Sequence, residues 1–128
     1  MSVNELTHRI IGAAIGVHQA VGPGLLESAY EECLCRELEL CGLPFERQVA
    51  LPLNYKNVQL NCGCRVDLLV DRRVVVEIKA VDRLMPIHEA QLLTYLRLGR
   101  WRVGLIINFN TPVLRDGIRR CVLDLEEQ

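Results

Sequence analysis

Two short aliphatic runs, Val66 to Val70 and Val74 to Ile78, flank a polar Asp71-Arg72-Arg73. Both runs are rich in strand-forming residues, and a polar triplet between them reads as a turn, so they are expected to pair as antiparallel neighbours. Their charges constrain the pairing. Asp67 and Glu77 interrupt the aliphatic pattern, and Lys79 follows directly. With a three-residue loop, Val70 faces Val74 and Asp67 falls opposite Glu77. Opposed residues share a sheet face, and Lys79, two residues past Glu77, returns to that face. A two-residue loop would send Asp67 to the other side, because a slip of one residue turns every side chain over. The three-residue loop, with Asp67, Glu77 and Lys79 together, is the expectation.

The rest of the chain is expected to surround this hairpin in order. Ser2 with Glu5 fits a capping box, and Leu6, Ile10, Ala13, Ala14, Val17 and Val21 recur at helical spacing, predicting an amphipathic helix over residues 3–21. His18, among apolar neighbours, is expected as a packed, hydrogen-bonded core residue. Gly22-Pro23-Gly24 breaks the helix. A second helix follows with Leu26, Tyr30, Cys33, Leu34 and Leu38 on one side and Gly42 just past its end. Glu27 lies in its first turn. Two readings of this residue stand side by side, a carboxylate complementing the helix dipole or an acid held off the solvent side between Leu26 and Tyr30.

Residues 45–53 read as a strand at a sheet edge, because Pro52 cannot donate to a ladder, and residues 54–57 as a turn before Val58 to Leu60. After Pro86, His88 to Leu98 reads as a helix stopped by Gly99, with Gln91 and Tyr95 four apart on one face. Val103 to Phe109 is nearly all apolar, as in a strand covered on both faces. Asp116-Gly117 signals a turn before a last strand, Ile118 to Leu123. This order predicts an α/β fold in which helices flank a mixed central sheet, all within one domain spanning residues 1–128.

Composition excludes several classes. There is no basic-then-apolar leader pattern and no apolar stretch long enough to cross a bilayer, so a cytoplasmic protein without membrane association is expected. The net charge of −1 does not advertise a polyanion partner, but its distribution is uneven. Residues 1–46 hold seven acidic and two basic side chains, residues 47–120 six acidic and thirteen basic, and the tail is acidic again. Such asymmetry points to a polyanion-facing surface near the sheet, against the plainer reading of a lopsided solvated surface. The six cysteines form no C-x-x-C pair, so they are expected as small buried hydrophobes rather than zinc or iron–sulfur ligands. The thiols and the apolar first helix leave a homodimer open.

Two carboxylates meeting beside a lysine repel each other unless something cationic lies between them. A hard divalent ion such as Mg²⁺ suits that position, with Asp67, Glu77 and the backbone carbonyl of Ile78 as oxygen donors. Lys79 would then orient water and offset charge developing on a phosphate, the pattern of metal-assisted phosphodiester hydrolysis. The competing reading is a strand-end salt bridge between Glu77 and Lys79.

The spacing Asp67, nine residues, Glu77-Ile78-Lys79 resembles the D…ExK signature of the PD-(D/E)XK nuclease superfamily, with Val66 where the signature has proline. Gly63-x-x-x-Asp67 and Gln91-x-x-x-Tyr95 resemble flanking motifs of its RecB-like branch. Gly24-Leu-Leu-Glu27-Ser-Ala-Tyr30 resembles the motif that names the GxxExxY proteins, small stand-alone members of the superfamily. The likeness runs from the first helix to the Asp116-Gly117 turn. It implies a restriction-endonuclease-like αβββαβ core and a catalytic set of Glu27, Asp67, Glu77, Lys79, Gln91 and Tyr95. In that set Asp67 and Glu77 bind Mg²⁺ or Mn²⁺, Glu27 adds a further acid, Lys79 is the catalytic lysine, and Gln91 and Tyr95 approach from the following helix.

The function expected on these grounds is hydrolysis of DNA, with RNA as a second substrate class. Arg97, Arg100, Arg102, Arg115, Arg119 and Arg120 would contact phosphates and Trp101 would offer a stacking ring, against the plainer reading of a solvated rim and a core tryptophan. The alternative function is an inactive module of the same fold that binds nucleic acid or a protein.

Overall fold

The computed structural model describes residues 1–124; Glu126 and Glu127 of the acidic tail lie outside the described residues. Helix α1 (Val3–Val21) opens with the expected cap, Ser2 Oγ accepting from the Glu5 N–H, and buries Leu6, Ile10, Ala13, Ala14 and Val17. His18 is buried with them, its Nε2 2.8 Å from the Thr111 carbonyl oxygen. Helix α2 (Glu27–Leu40) buries Tyr30, Leu34, Cys35 and Leu38, and Gly42 takes the left-handed conformation two residues past its end. Leu26, expected on the apolar side, is instead the N-cap residue and 77% exposed.

The strands are β1 (Phe45–Ala50), β2 (Leu53–Tyr55), β3 (Val58–Leu60), β4 (Arg65–Val70), β5 (Val74–Lys79), β6 (Val103–Asn108) and β7 (Ile118–Val122), with helix α3 (Pro86–Gly99) between β5 and β6. Five form one sheet in the order β1-β4-β5-β6-β7. β5 and β6 run parallel across the α3 crossover, and every other pair in the sheet is antiparallel. Strand β1 is an edge strand, as the proline predicted. The proline acts by ending that strand early: Leu51-Pro52 separates β1 from a small β2–β3 hairpin that forms its own sheet. The αβββαβ core is thus α2, β1, β4, β5, α3 and β6.

The sheet divides two cores. Helices α1 and α2 pack on one face against Leu68, Val70, Val74, Val76, Ile78, Leu105 and Ile107. Helix α3 covers the other, where Leu92 and Leu96 meet Leu69, Val75 and Ile106. Strand β6 is buried throughout, as its unbroken apolar run required. Gly104 within it lies against the Leu92 side chain, whose Cδ1 would have to shift to make room for a Cβ.

One expectation is met by another residue's geometry and one needs correction. Helix α3 ends at Gly99 as expected, but the left-handed residue that closes it is Arg100, whose φ is +59°. Gly99 is needed for space instead, because a Cβ there would lie 2.1 Å from the Trp101 ring. The cysteines are all free but not uniformly buried: Cys35 is buried, Cys62 is exposed and the other four lie between. Cys62 and Cys64 sit in the loop before β4, where no core covers them fully, whereas burial pushes the Cys35 thiol up to about 11.

Candidate functional site

The hairpin loop holds three residues: Val70 pairs with Val74 and the Arg73 N–H donates to the Val70 carbonyl at 3.0 Å. The ladder between β4 and β5 stops at Leu68 and Val76, one step short of the acids. There the side chains take over. The Asp67 N–H donates to Glu77 Oε2 at 2.8 Å, and the Ile78 N–H donates to Asp67 Oδ2 at 2.8 Å. Asp67 and Glu77 are therefore neighbours through reciprocal side-chain bonds rather than the backbone partners that register alone suggested.

The cause lies in β4. Val66 joins the α3-side core while Leu68 joins the α1–α2 side. Residues two apart normally share a face, so the strand turns over at Asp67. On the neighbouring strand, Arg47 pairs with Leu68 and Val49 with Val66, and Gln48 between them has φ +51°. A non-glycine residue held there costs roughly 1–3 kcal/mol. Gln48 Nε2 donates to Glu31 Oε1 at 2.9 Å and more loosely to Asp67 Oδ1 at 3.5 Å, tying the distortion to the acidic pair.

Electrostatics follow from this packing. Burial, then repulsion from Asp67, pushes the Glu77 carboxyl up to about 8, although the Asp67 N–H and Lys79 pull the other way. Burial also holds Asp67 above its usual range, against the Ile78 N–H bond. Every fully buried side-chain polar atom among the described residues has a partner, so Glu77 Oε1, to which none of these bonds runs, keeps some exposure to solvent.

The other expected residues are placed unequally. Lys79 alternates with Glu77 along β5 and is half-buried, and its charge favours ionisation of both acids. It forms no direct ion pair among the described residues, which removes the strand-end salt bridge with Glu77. The Ile78 N–H points at Asp67, and within an extended strand the carbonyl of the same residue points to the same edge. Glu27 is exposed at the start of α2, its Oε2 3.4 Å from the Ala80 N–H. That start is held by Tyr30, whose hydroxyl donates to the Gly22 carbonyl at 2.6 Å and accepts from the Leu25 N–H at 3.2 Å. Its ring stacks on Phe109 with centroids 4.4 Å apart. Tyr95 is half-buried in the α3-side core, and its hydroxyl is raised by burial and then by the charges of Glu77, Cys64 and Asp67. Gln91, one turn earlier, is exposed.

The six arginines are split rather than gathered round the acids. Arg100, Arg102 and Arg120 line a cavity at the other end of the sheet. Arg119 reaches Glu89 of α3 at 3.7 Å, Arg97 lies 3.5 Å from Thr94 Oγ1, and Arg115 is exposed. Alternation in β7 separates Arg119 from Arg120, which donates to Asn4 Oδ1 at 2.8 Å on the α1 side.

Three residues escaped sequence reasoning. Glu31 takes a bond from Gln48 and a 2.8 Å ion pair from Arg47, and its charge bears on Asp67. Its position one helical turn after Glu27 was the available signal. Gln48 carried no signal. Asn108, 1% exposed, clamps the segment after Lys79: its Oδ1 accepts from the Val81 N–H at 3.0 Å and its Nδ2 donates to the Val81 carbonyl at 2.9 Å.

The donor chemistry fits a hard divalent cation: two adjacent acids that repel, a Glu77 oxygen left free of these bonds and a backbone carbonyl aimed at the same edge. Among the described residues no three His, Cys, Asp or Glu side chains converge as a metal group. The donors such an ion would find are thus the two carboxylates and the carbonyl, and Glu27 is not drawn in as arranged. A family model of the PD-(D/E)XK nuclease superfamily matches residues 4–121. No curated protein and no solved structure gives a significant match.

Proposed function

From the premise that this chain belongs to the PD-(D/E)XK nuclease superfamily, with a restriction-endonuclease-like fold, we propose that it hydrolyses phosphodiester bonds in DNA, with RNA as a second substrate class. The observation that carries the reading is the pair of bonds that seats each acid on the other's strand at the end of the β4–β5 ladder, Glu77 accepting from the Asp67 N–H and Asp67 from the Ile78 N–H. Two acids held close enough to repel, at the cost of raised pKa values, are poor structural elements and good ligands for a cation.

Asp67, Glu77 and the Ile78 carbonyl would hold Mg²⁺ or Mn²⁺. When bound, such an ion supplies Lewis acidity, polarising a phosphate oxygen and acidifying water. Lys79, on the Glu77 face of β5, offsets charge that builds on the phosphate and orients the attacking water. Tyr95 and Gln91 approach from α3 to contact phosphate or support Lys79. Gln48, held by Glu31, leans loosely on the Asp67 carboxylate. Within the superfamily we read the chain as a GxxExxY protein, a reading supported by Gly24, Glu27 and Tyr30, and Glu27 adds negative charge at the mouth of the site. No helix among the described residues is long and apolar enough to cross a membrane, and we place the protein in the cytoplasm.

Linear, nicked and single-stranded DNA, and RNA, incubated with the protein and Mg²⁺ or Mn²⁺ test the reading. Cleavage is expected to stop with a chelator and to fall by at least about 10²-fold in Lys79→Ala. Binding without cleavage, indifferent to Lys79→Ala, would instead support the inactive module.

A further inference from the structure

The end of the sheet away from the acids is built from opposite charge. The β4–β5 turn, the end of α3 and the adjoining ends of β6 and β7 enclose an open cavity of about 640 Å³, lined by Arg72, Arg73, Arg100, Arg102, Arg120 and Trp101. Val103, at this end, pairs with Val74, and Asn108 pairs with Lys79. Five residues of strand, about 16 Å at the usual rise, separate the cavity from Lys79.

Two of the arginines are engaged within the protein. Arg73 donates to the Met1 carbonyl and to Asp71 Oδ2, each at 3.0 Å, and Arg120 donates to Asn4 Oδ1 at 2.8 Å. Arg72, Arg100 and Arg102 have no side-chain partner among the described residues. Arg72 and Arg100 also hold φ values of +56° and +59°. L-Residues are costly in this region and glycine or asparagine is the stable choice. Three unengaged guanidinium groups, two of them carried on strained backbone, face one cavity in which Asp124 is the lining carboxylate among the described residues. The hairpin turn and the helix end require left-handed backbone at Arg72 and Arg100 but not arginine there; an anionic ligand accounts for that choice.

The remaining lining says which anion. The Trp101 ring is seated against Gly99, which fixes the indole at the wall. Val103, Val122 and Leu123 continue an apolar surface beside it. Inorganic phosphate would use the arginines and waste the indole. A nucleotide uses both: guanidinium groups grip phosphate in paired hydrogen bonds, and an aromatic ring stacks on a base of any identity. The volume is that of a pocket for a small organic ligand, about 300–1,000 Å³.

We propose that this cavity is a nucleotide-binding site distinct from the carboxylate site, in which Arg72, Arg100 and Arg102 take the phosphate and Trp101 stacks on the base. The nucleotide is either free or one unit of a nucleic-acid strand. The inference does not rest on the cleavage reading.

Trp101 is the only tryptophan in the chain, so its fluorescence reports occupancy directly. The whole protein is titrated, with chelator present, against adenosine 5′-monophosphate, a short single-stranded oligonucleotide and inorganic phosphate. Saturable quenching by the mononucleotide or the oligonucleotide is expected, the tighter of the two identifying the source, with inorganic phosphate competing but not quenching. Arg100→Gly together with Arg102→Ala, which keeps the left-handed turn, is expected to weaken binding at least about tenfold. Circular dichroism checks that this variant is folded. Absence of saturable quenching by either nucleotide probe, quenching indifferent to the arginine substitutions, or binding that requires a divalent metal would overturn the proposal. Quenching without cleavage activity leaves this site standing and removes the cleavage reading; cleavage without quenching does the reverse.

Discussion

The two ends of the central sheet concentrate charge of opposite sign by opposite means. At one end Asp67 and Glu77 are withdrawn from water and tied to each other's strands, Glu77 being only 5% exposed. At the other, Arg72, Arg100 and Arg102 stand in an open cavity on exposed backbone. Burial makes the acids sensitive to proton and cation, because charge in a poorly solvated place must be compensated. The arginines are exposed, so what they would gain from a ligand is geometry and a stacking partner. The first end is suited to chemistry and the second to holding.

This contrast can be broken experimentally. The largest effect belongs to the acids: Asp67→Asn or Glu77→Gln is expected to reduce cleavage by about 10²–10³-fold with the fold retained, read from cleavage rates beside circular dichroism. Next, Mg²⁺ affinity at the acidic end should rise with pH by up to about tenfold per unit below the Glu77 value near 8, since the cation competes with a proton. Isothermal titration across pH 6 to 8 checks it, and a flat profile would separate the cation from Glu77.

The third effect is on stability without metal. Glu77 ionises near 8 in the folded chain and near its ordinary 4.5 when unfolded, so the folded state keeps a proton that the unfolded state releases. That contribution is complete below the unfolded value and is lost as pH rises through the folded one. The melting temperature should therefore fall from pH 5 to pH 8, and Glu77→Gln should flatten the profile and raise it at pH 8 by about 5 °C or more. The smallest effect lies at the basic end. Arg72→Gly, which relieves a left-handed residue, is expected to stabilise by up to about 1 kcal/mol in denaturant unfolding, with no comparable dependence on pH.

Much of the acidic end was legible in the sequence because its signals are local. The triplet Asp71 to Arg73 set the loop, the loop set the register, and period-two alternation put Glu77 and Lys79 together. What failed was the assumption that the ladder continues to the acids. Strand β4 turns over at Asp67, and its partner Gln48 adopts a left-handed φ that no residue preference announces. Glu31 was within reach, one turn beyond Glu27, but nothing in the helix pattern said that β1 would meet it. The basic cavity was less legible still. Arg72, Arg100 and Arg120 come from three distant segments, and their convergence is a product of strand order. The six arginines named from the sequence do not share one place, because alternation in β7 sends Arg119 and Arg120 to opposite faces. The cysteines misled for a related reason: thiols are buried on average, but Cys62 and Cys64 lie in a loop.

The central claim is that Asp67 and Glu77 together receive a divalent cation. Titrating Mn²⁺ into the wild-type chain and Asp67→Asn near pH 8, with heat as the readout, tests it most directly. Saturable uptake at a single site, lost in the variant, is the predicted result; no uptake, or uptake unchanged by the substitution, would contradict it.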